Sequence, residues 1–404
     1  MKRIVAILCL ISMLIAITGI GLADAAEENE IVIPEIDMKQ FEIPDNDAMR
    51  FLRDMKTGWN LGNTFDAYDD QGWFKQPEPN METAWHHSIT TRELITAIKE
   101  AGFNTIRIPV SWHNHVDENY TINPVWIARV KEVAGWALDE GMYVIINVHH
   151  DNSLTFFYPD SEHYEQSAAY LTAVWSQIAE TFGEYDEHLI LESLNEPRLV
   201  GKENIEWWFN KASPECLDAA KCINKLNQLF VDTVRSTGGN NATRYLAVPA
   251  YCGSPESAMD SHFQLPKDSA ENRIIVEVHA YRPYNFALNL YGGQYSTFEL
   301  SETNKTSEIA KLMNDLYKTY ISNGIPVMID EFGALNKNGN TQDRVNLTSY
   351  YIHAASSRGI PCVWWDNCNF TGDGEQFGLI DRKTCEWTYP EIVEAIMKNC
   401  IWPE

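Results

Sequence analysis

Positive charge is scarce in this chain: 31 Lys and Arg stand against 57 Asp and Glu, for a formal net charge of -26. A surface of that sign repels phosphate backbones, so nucleic acid is not an expected partner. Long hydrophobic runs are scarce too. One occupies residues 4–22, and no second run is long enough to span a bilayer. The early strand candidates are followed by no Gly-x-Gly-x-x-Gly, which argues against a dinucleotide site. No Cys-x-x-Cys spacing suggests a structural metal. A Pro/Ser/Gly-rich linker and an internal repeat are also missing, so a single domain is expected despite the length.

What is present begins with Met1-Lys2-Arg3, the apolar run, and the small-x-small pattern Ala23-Asp24-Ala25. Residues 1–25 therefore read as a secretory signal peptide, with a retained membrane anchor as the alternative. Residues 26–47 form an acidic tail and residues 48–404 the domain. The expected product is a secreted, extracellular monomer that leaves the membrane once the signal is removed. Secretion permits disulfides. Of eight cysteines, Cys9 falls in the signal, and Cys216 and Cys222 are close enough in sequence to staple one loop. Asn-x-Ser/Thr sequons at Asn119, Asn241, Asn304, Asn346 and Asn369 mark candidate glycosylated surface loops.

Short, nearly apolar runs at 57–61, 104–110, 142–148, 189–194, 244–248, 274–278, 326–329 and 361–365 read as eight strands buried on both faces. Helix signals lie between them. Thr90 with Glu93 reads as a capping box closed by Gly102, and Asn123-Pro124 opens a helix that Gly141 ends. Gly324 and Gly359 repeat that stop just before strands. Eight alternating β and α units predict an α/β fold, a single (β/α)8 TIM barrel.

Barrel chemistry gathers at the C-terminal ends of the strands. Here those ends read Arg107-Ile108-Pro109, His149-His150-Asp151, Asn195-Glu196-Pro197, His279-Ala280-Tyr281, Asp330-Glu331-Phe332 and Trp364-Trp365-Asp366. Glu196 and Glu331 close strands four and seven, across the mouth from one another. Two carboxyls so placed suit retaining glycoside hydrolysis, one as acid/base and one as nucleophile. The acid must hold its proton near neutral pH, which burial and a neighbouring carboxylate can arrange. Asn195 suits a donor to the sugar 2-OH. Arg107 and Tyr281 suit holding and aiming Glu331. His149 and His279 suit sugar hydroxyls or tuning of the acid, and Trp365 offers a flat face for a pyranose ring.

At these residues the chain resembles glycoside hydrolase family 5, the cellulase family. The signature is Leu189-Ile-Leu-Glu-Ser-Leu-Asn195-Glu196-Pro197-Arg198. The resemblance implies Glu196 as acid/base and Glu331 as nucleophile. It implies Arg107, His149, His150, Asn195, His279, Tyr281 and Trp365 as the remaining active-site set. Asn63, in the opening Gly58-Trp59-Asn60-Leu61-Gly62-Asn63-Thr64-Phe65-Asp66-Ala67, and Trp85, in Glu82-Thr83-Ala84-Trp85, resemble the branch that holds endoglucanases, xyloglucanases, lichenases and some xylanases. His86-His87-Ser88 stands where that branch has Gly-Asn-Pro, and residues 68–79 look inserted. The implied activity is endo-β-1,4-glucan hydrolysis without cofactor or metal, on a β-glucan polysaccharide or oligosaccharide. Xyloglucan, xylan or mannan are the alternative substrates.

Two further readings compete. A non-catalytic glycan-binding barrel would be expected to lack one of the two glutamates. A metal-dependent hydrolase would use His149-His150-Asp151 and His279, although adjacent strand residues point to opposite faces. Trp207-Trp208 reads equally as a sugar platform or a packed cluster, and Trp73, Trp85 and Trp112 as cleft-lining rings.

Overall fold

The computed structural model describes residues 30–74 and 80–403. The expected signal peptide and part of residues 68–79 lie outside that range. Eight parallel strands close into a barrel in chain order, the last pairing with the first. They are β1 (Thr57–Leu61), β2 (Thr105–Ile108), β3 (Tyr143–Asn147), β4 (Leu189–Glu192), β5 (Leu246–Val248), β6 (Ile274–His279), β7 (Val327–Phe332) and β8 (Cys362–Asp366). All are buried along their whole length, as apolar runs between two layers must be. Helices of nine to 23 residues follow seven of the strands. After β5 the connection holds a 3-10 turn at Tyr251–Gly253 and the short helix Pro255–Ala258.

The helix signals hold with one shift. Asn123 accepts from the Val125 amide at 2.9 Å with Pro124 in first position. Gly141, Gly324 and Gly359 all adopt positive φ. The second helix starts a residue later than expected: Thr91, not Thr90, accepts from the Leu94 amide. Thr90 is instead buried, its carbonyl taken by Arg129.

The opposite end of the barrel is covered by the helix Asp47–Met55. Asn46 caps it, and Phe51 stacks on Tyr245 at 3.7 Å and meets Tyr143 edge-on. Before it, the Phe41 amide bonds the Ser357 carbonyl and Arg358 lies over the Phe41 ring. Among the described residues no helix is long and apolar enough to cross a membrane.

The expected Cys216–Cys222 disulfide does not form; both thiols are free and buried. Both sit on one continuous helix, Pro214–Ser236. Six helical steps carry the two Cα atoms roughly 9 Å apart along the axis and turn them to different faces, too far for a bridge. The sequon at Asn241 is not a surface loop either. Asn241 is buried, donates to the Ala179 carbonyl and accepts from Arg244.

Candidate active site

Arg107 is the hub. It rises from β2 into the barrel interior with no exposed surface. Nε and Nη2 donate to the two oxygens of Glu192 at 2.7 Å each. Nη2 also donates to Asn195 Oδ1, and Nη1 to Asn60 Oδ1 and Glu331 Oε1. Burial alone would weaken this cation, but Glu192 and Asp330 beside it raise its pKa well above the ordinary value. A guanidinium is suited to this fan of acceptors because its donors are fixed in one plane.

Glu331 is gripped at both oxygens, by Arg107 at 2.7 Å and by the Tyr281 hydroxyl at 3.0 Å. Glu196 accepts from His279 Nδ1 at 2.8 Å, and Arg198 lies 3.8 Å from its other oxygen. The same His279 nitrogen is 3.4 Å from Glu331. Oxygens of Glu196 and Glu331 and a nitrogen of His279 all lie within 4.8 Å of one another. Since Arg107 occupies Asn195 Oδ1, the Asn195 amide nitrogen is directed away from that hub.

The geometry corrects one electrostatic expectation. Burial pushes the Glu196 carboxyl up, but the hydrogen bond and charge of His279, with Arg198, bring it below the ordinary value. Burial lowers His279, yet the charges of Glu331 and Glu196 raise it to about 9. In the resting protein the proton between them therefore sits on His279 rather than on Glu196.

His149 is buried and neutral, lowered by burial and by the charges of His150 and Arg107. Its Nδ1 faces the Asn147 amide, and its ring lies parallel to Trp365 at 5.8 Å. His150 is lowered to about 4 by burial and Arg198, and its ring packs near Trp85 and Tyr68. The alternation argument for these two histidines fails, because β3 ends at Asn147. The His149 and His150 rings meet at 4.4 Å, and both reach Asp66. Asp151 turns away, accepting from the Trp112 amide, His113 and Tyr170.

Trp365 and Trp364 divide as alternation requires. Trp364 is core, and Trp365 is in contact distance of the turn after β1. A Cβ on Gly62 would come within 2.8 Å of that ring, so only glycine fits there. Asn63 follows at φ 57°, its amide on Asp66; among the described residues its side chain makes no hydrogen bond to either glutamate. His86, in the unusual stretch after Trp85, braces this turn. Its Nδ1 accepts from the Ser88 amide, so Nε2 carries the hydrogen toward Thr64 Oγ1. Trp112 is not cleft lining but wholly buried, donating to the Asn147 carbonyl. Trp73, Trp85, Trp207 and Trp208 are exposed, and Arg198 stacks on Trp207 at 3.8 Å.

Glu192, Asn60, Asn147 and Glu277 escaped the reading of the strand ends, and Asp330 was read there without a role. All five are buried polar groups within the strands. A polar or charged residue inside an otherwise apolar strand is the signal that marks them.

The family model for cellulase, glycosyl hydrolase family 5, matches residues 68–371. Endoglucanase A of Ruminococcus albus is 41% identical over 361 residues, 89% of this chain and 94% of that protein. A family 5 lichenase from Caldicellulosiruptor sp. F32 superposes with a TM-score of 0.90 at 52% identity, covering 92% of this chain and 100% of that one. A broad-specificity endoglucanase from Ruminococcus champanellensis, solved with cellotriose, gives 0.80 at 43% identity over 88% and 100%. With a match of this extent across the barrel and its strand ends, the chain belongs to glycosyl hydrolase family 5.

Proposed function

We propose that this chain is a secreted, retaining endo-β-1,4-glucanase acting on cellulose-like or mixed-linkage glucans, with Glu331 as nucleophile and Glu196 as acid/base. The observation that carries the reading is the approach of the two carboxyls within 4.8 Å. Retaining enzymes hold their carboxyls about 5–5.5 Å apart, whereas inverting enzymes need roughly 6.5–9.5 Å for a water between them.

Glu331, held at both oxygens, attacks the anomeric carbon from a fixed direction, the positional advantage of a bound nucleophile. Glu196 delivers a proton to the departing oxygen and then takes one from the water that cleaves the glycosyl ester. The Asn195 amide nitrogen is free to donate to a sugar hydroxyl. The flat face of Trp365 suits a pyranose ring, and the exposed Trp207 and Trp208 suit further rings along a chain. Mixed-linkage glucan belongs among the substrates because the lichenase is 52% identical.

Azide rescue of an aryl cellobioside tests the roles. Glu196→Ala should still form the glycosyl-enzyme and, with azide, release the β-azide. Glu331→Ala should give no hydrolysis and at most the α-azide. A β-azide from Glu331→Ala would mean that the two roles are exchanged. A panel with xyloglucan, xylan and mannan beside β-glucan, with sizing of early products, tests substrate and endo action.

A further inference from the structure

Beneath the two glutamates the barrel holds charge that the proposed reaction leaves unused. Glu277 and His279 alternate on β6 and share its inner face. The register slips between β6 and β7 at Val278/His279 and between β7 and β8 past Ile329. Such slips re-aim side chains, and here neighbouring Asp330 and Glu331 both reach His279. The imidazole thus stands between two carboxyl pairs. Nδ1 faces Glu196 at 2.8 Å and Glu331 at 3.4 Å; Nε2 faces Asp330 at 3.6 Å and Glu277 at 3.7 Å.

Glu277 and Asp330 are wholly buried, and among the described residues no donor hydrogen-bonds any of their four oxygens. Arg107 on β2 is committed to Glu192 and Glu331 and comes only within 3.5 Å of Asp330. His149, two residues past the end of β3, is neutral. Two bare carboxylates in contact and out of water are not stable together, so such a pair retains a proton. Burial, with Asp330 and Glu192 nearby, pushes Glu277 well above the ordinary carboxyl range; burial and Glu192 push Asp330 to about 7.

We propose that Glu277 and Asp330, sharing one proton, form a negative floor that keeps a hydrogen on His279 Nε2, so that the proton on Nδ1 is the one exchanged with Glu196. This rests on Glu196 being the acid/base. In the first step Nδ1 gives its proton to Glu196, which delivers it to the departing glycosidic oxygen as Glu331 bonds the anomeric carbon. In the second, Glu196 takes a proton from the attacking water, the bond from Glu331 to carbon breaks, and the proton returns to Nδ1. One proton leaves and one returns. Glu277 and Asp330 touch no reacting atom; they are positioning residues, as the buried aspartate is in a serine protease triad.

Nitrogen-15 NMR of the unmodified protein tests the tautomer. Neutral His279 should carry its hydrogen on Nε2, and a hydrogen on Nδ1 overturns the proposal. Kinetics test the charge. Glu277→Gln and Asp330→Asn each leave one carboxylate under Nε2, so the alkaline limb of kcat/KM on unactivated glucan should stay in place. The double variant removes the charge, and the limb should move to lower pH by about one unit or more. An unmoved limb in a folded double variant overturns the floor, as does a full shift in either single variant. If azide rescue of Glu196→Ala persists in that event, only the floor falls. If the rescue fails, the acid/base assignment falls with it.

Discussion

Glu331 and Glu196 end facing strands of one barrel, share one histidine neighbour, and are held in opposite ways. Glu331 is 5% exposed and each oxygen has its own donor, from Arg107 on β2 and Tyr281 after β6. Glu196 is more open, and among the described residues His279 is its one side-chain hydrogen-bond partner. The first arrangement fixes a carboxylate in direction and leaves it nothing to exchange. The second gives a carboxyl one partner that can itself take or give a proton. A nucleophile needs the first and an acid/base the second.

The contrast can be broken most sharply at Glu196. Glu196→Gln should lower kcat on unactivated glucan by roughly 10²–10⁴-fold, the usual worth of general acid/base catalysis, and much less for formation of the glycosyl-enzyme from a substrate with a good leaving group. Equal losses on both substrates would erase the distinction between the two carboxyls. Arg107→Met tests the clamp on the other side. It leaves Glu192 and Glu331 without their cation, and stability in urea should fall by about 3–5 kcal/mol. Tyr281→Phe removes one donor to the Glu331 carboxylate. A hydrogen bond to a charged group is worth about 1.5–3 kcal/mol, so kcat/KM should fall by about tenfold to a hundredfold while the fold persists.

A smaller effect comes from His279. Its value is raised from 6.5 to about 9 in the folded protein. A raised histidine contributes stability that is complete below the unfolded value and lost as pH rises through the folded one. The urea midpoint should therefore decline between pH 6.5 and about 9, and less steeply in His279→Gln. The smallest effect should come from a chelator: with Asp151 held by Trp112, His113 and Tyr170, activity should not change. Loss on chelation, restored by a divalent cation, would redirect attention to Asp66, His149 and His150.

Much of this was legible in the sequence because it depends on local pattern. The eight apolar runs are the eight strands, and the polar residues that follow them gather at one mouth, since a parallel barrel sends every strand's C-terminal end the same way. What escaped depends on relations between distant segments. Glu192 and Glu277 lie inside strands read as apolar, and their roles follow from Arg107 and Asp330 across the interior. His279, 83 residues from Glu196, was read as a tuner of the acid, but the direction of its effect was missed because it depends on the charges of Glu331 and Asp330 gathered around it. The Cys216–Cys222 pairing failed for a simpler reason: closeness in sequence is not closeness in space once the segment is helical.

Arg382 carries one more consequence. It reaches back across 320 residues to the Gly62 carbonyl, bonds Thr64 Oγ1, and holds Asp366 with its other nitrogen. It thus latches the first strand to the last, at the turn where Gly62 makes room for Trp365. Contacts of such separation form late, because the loop entropy must be overcome before they return anything. During synthesis the first seven strands can emerge and collapse while this seam stands open and Trp365 has no place to settle. The mouth of the barrel around Trp365 is therefore finished late in folding, and a chain stopped before Arg382 would keep both glutamates and the β1–β8 pairing but lack the latch across that seam.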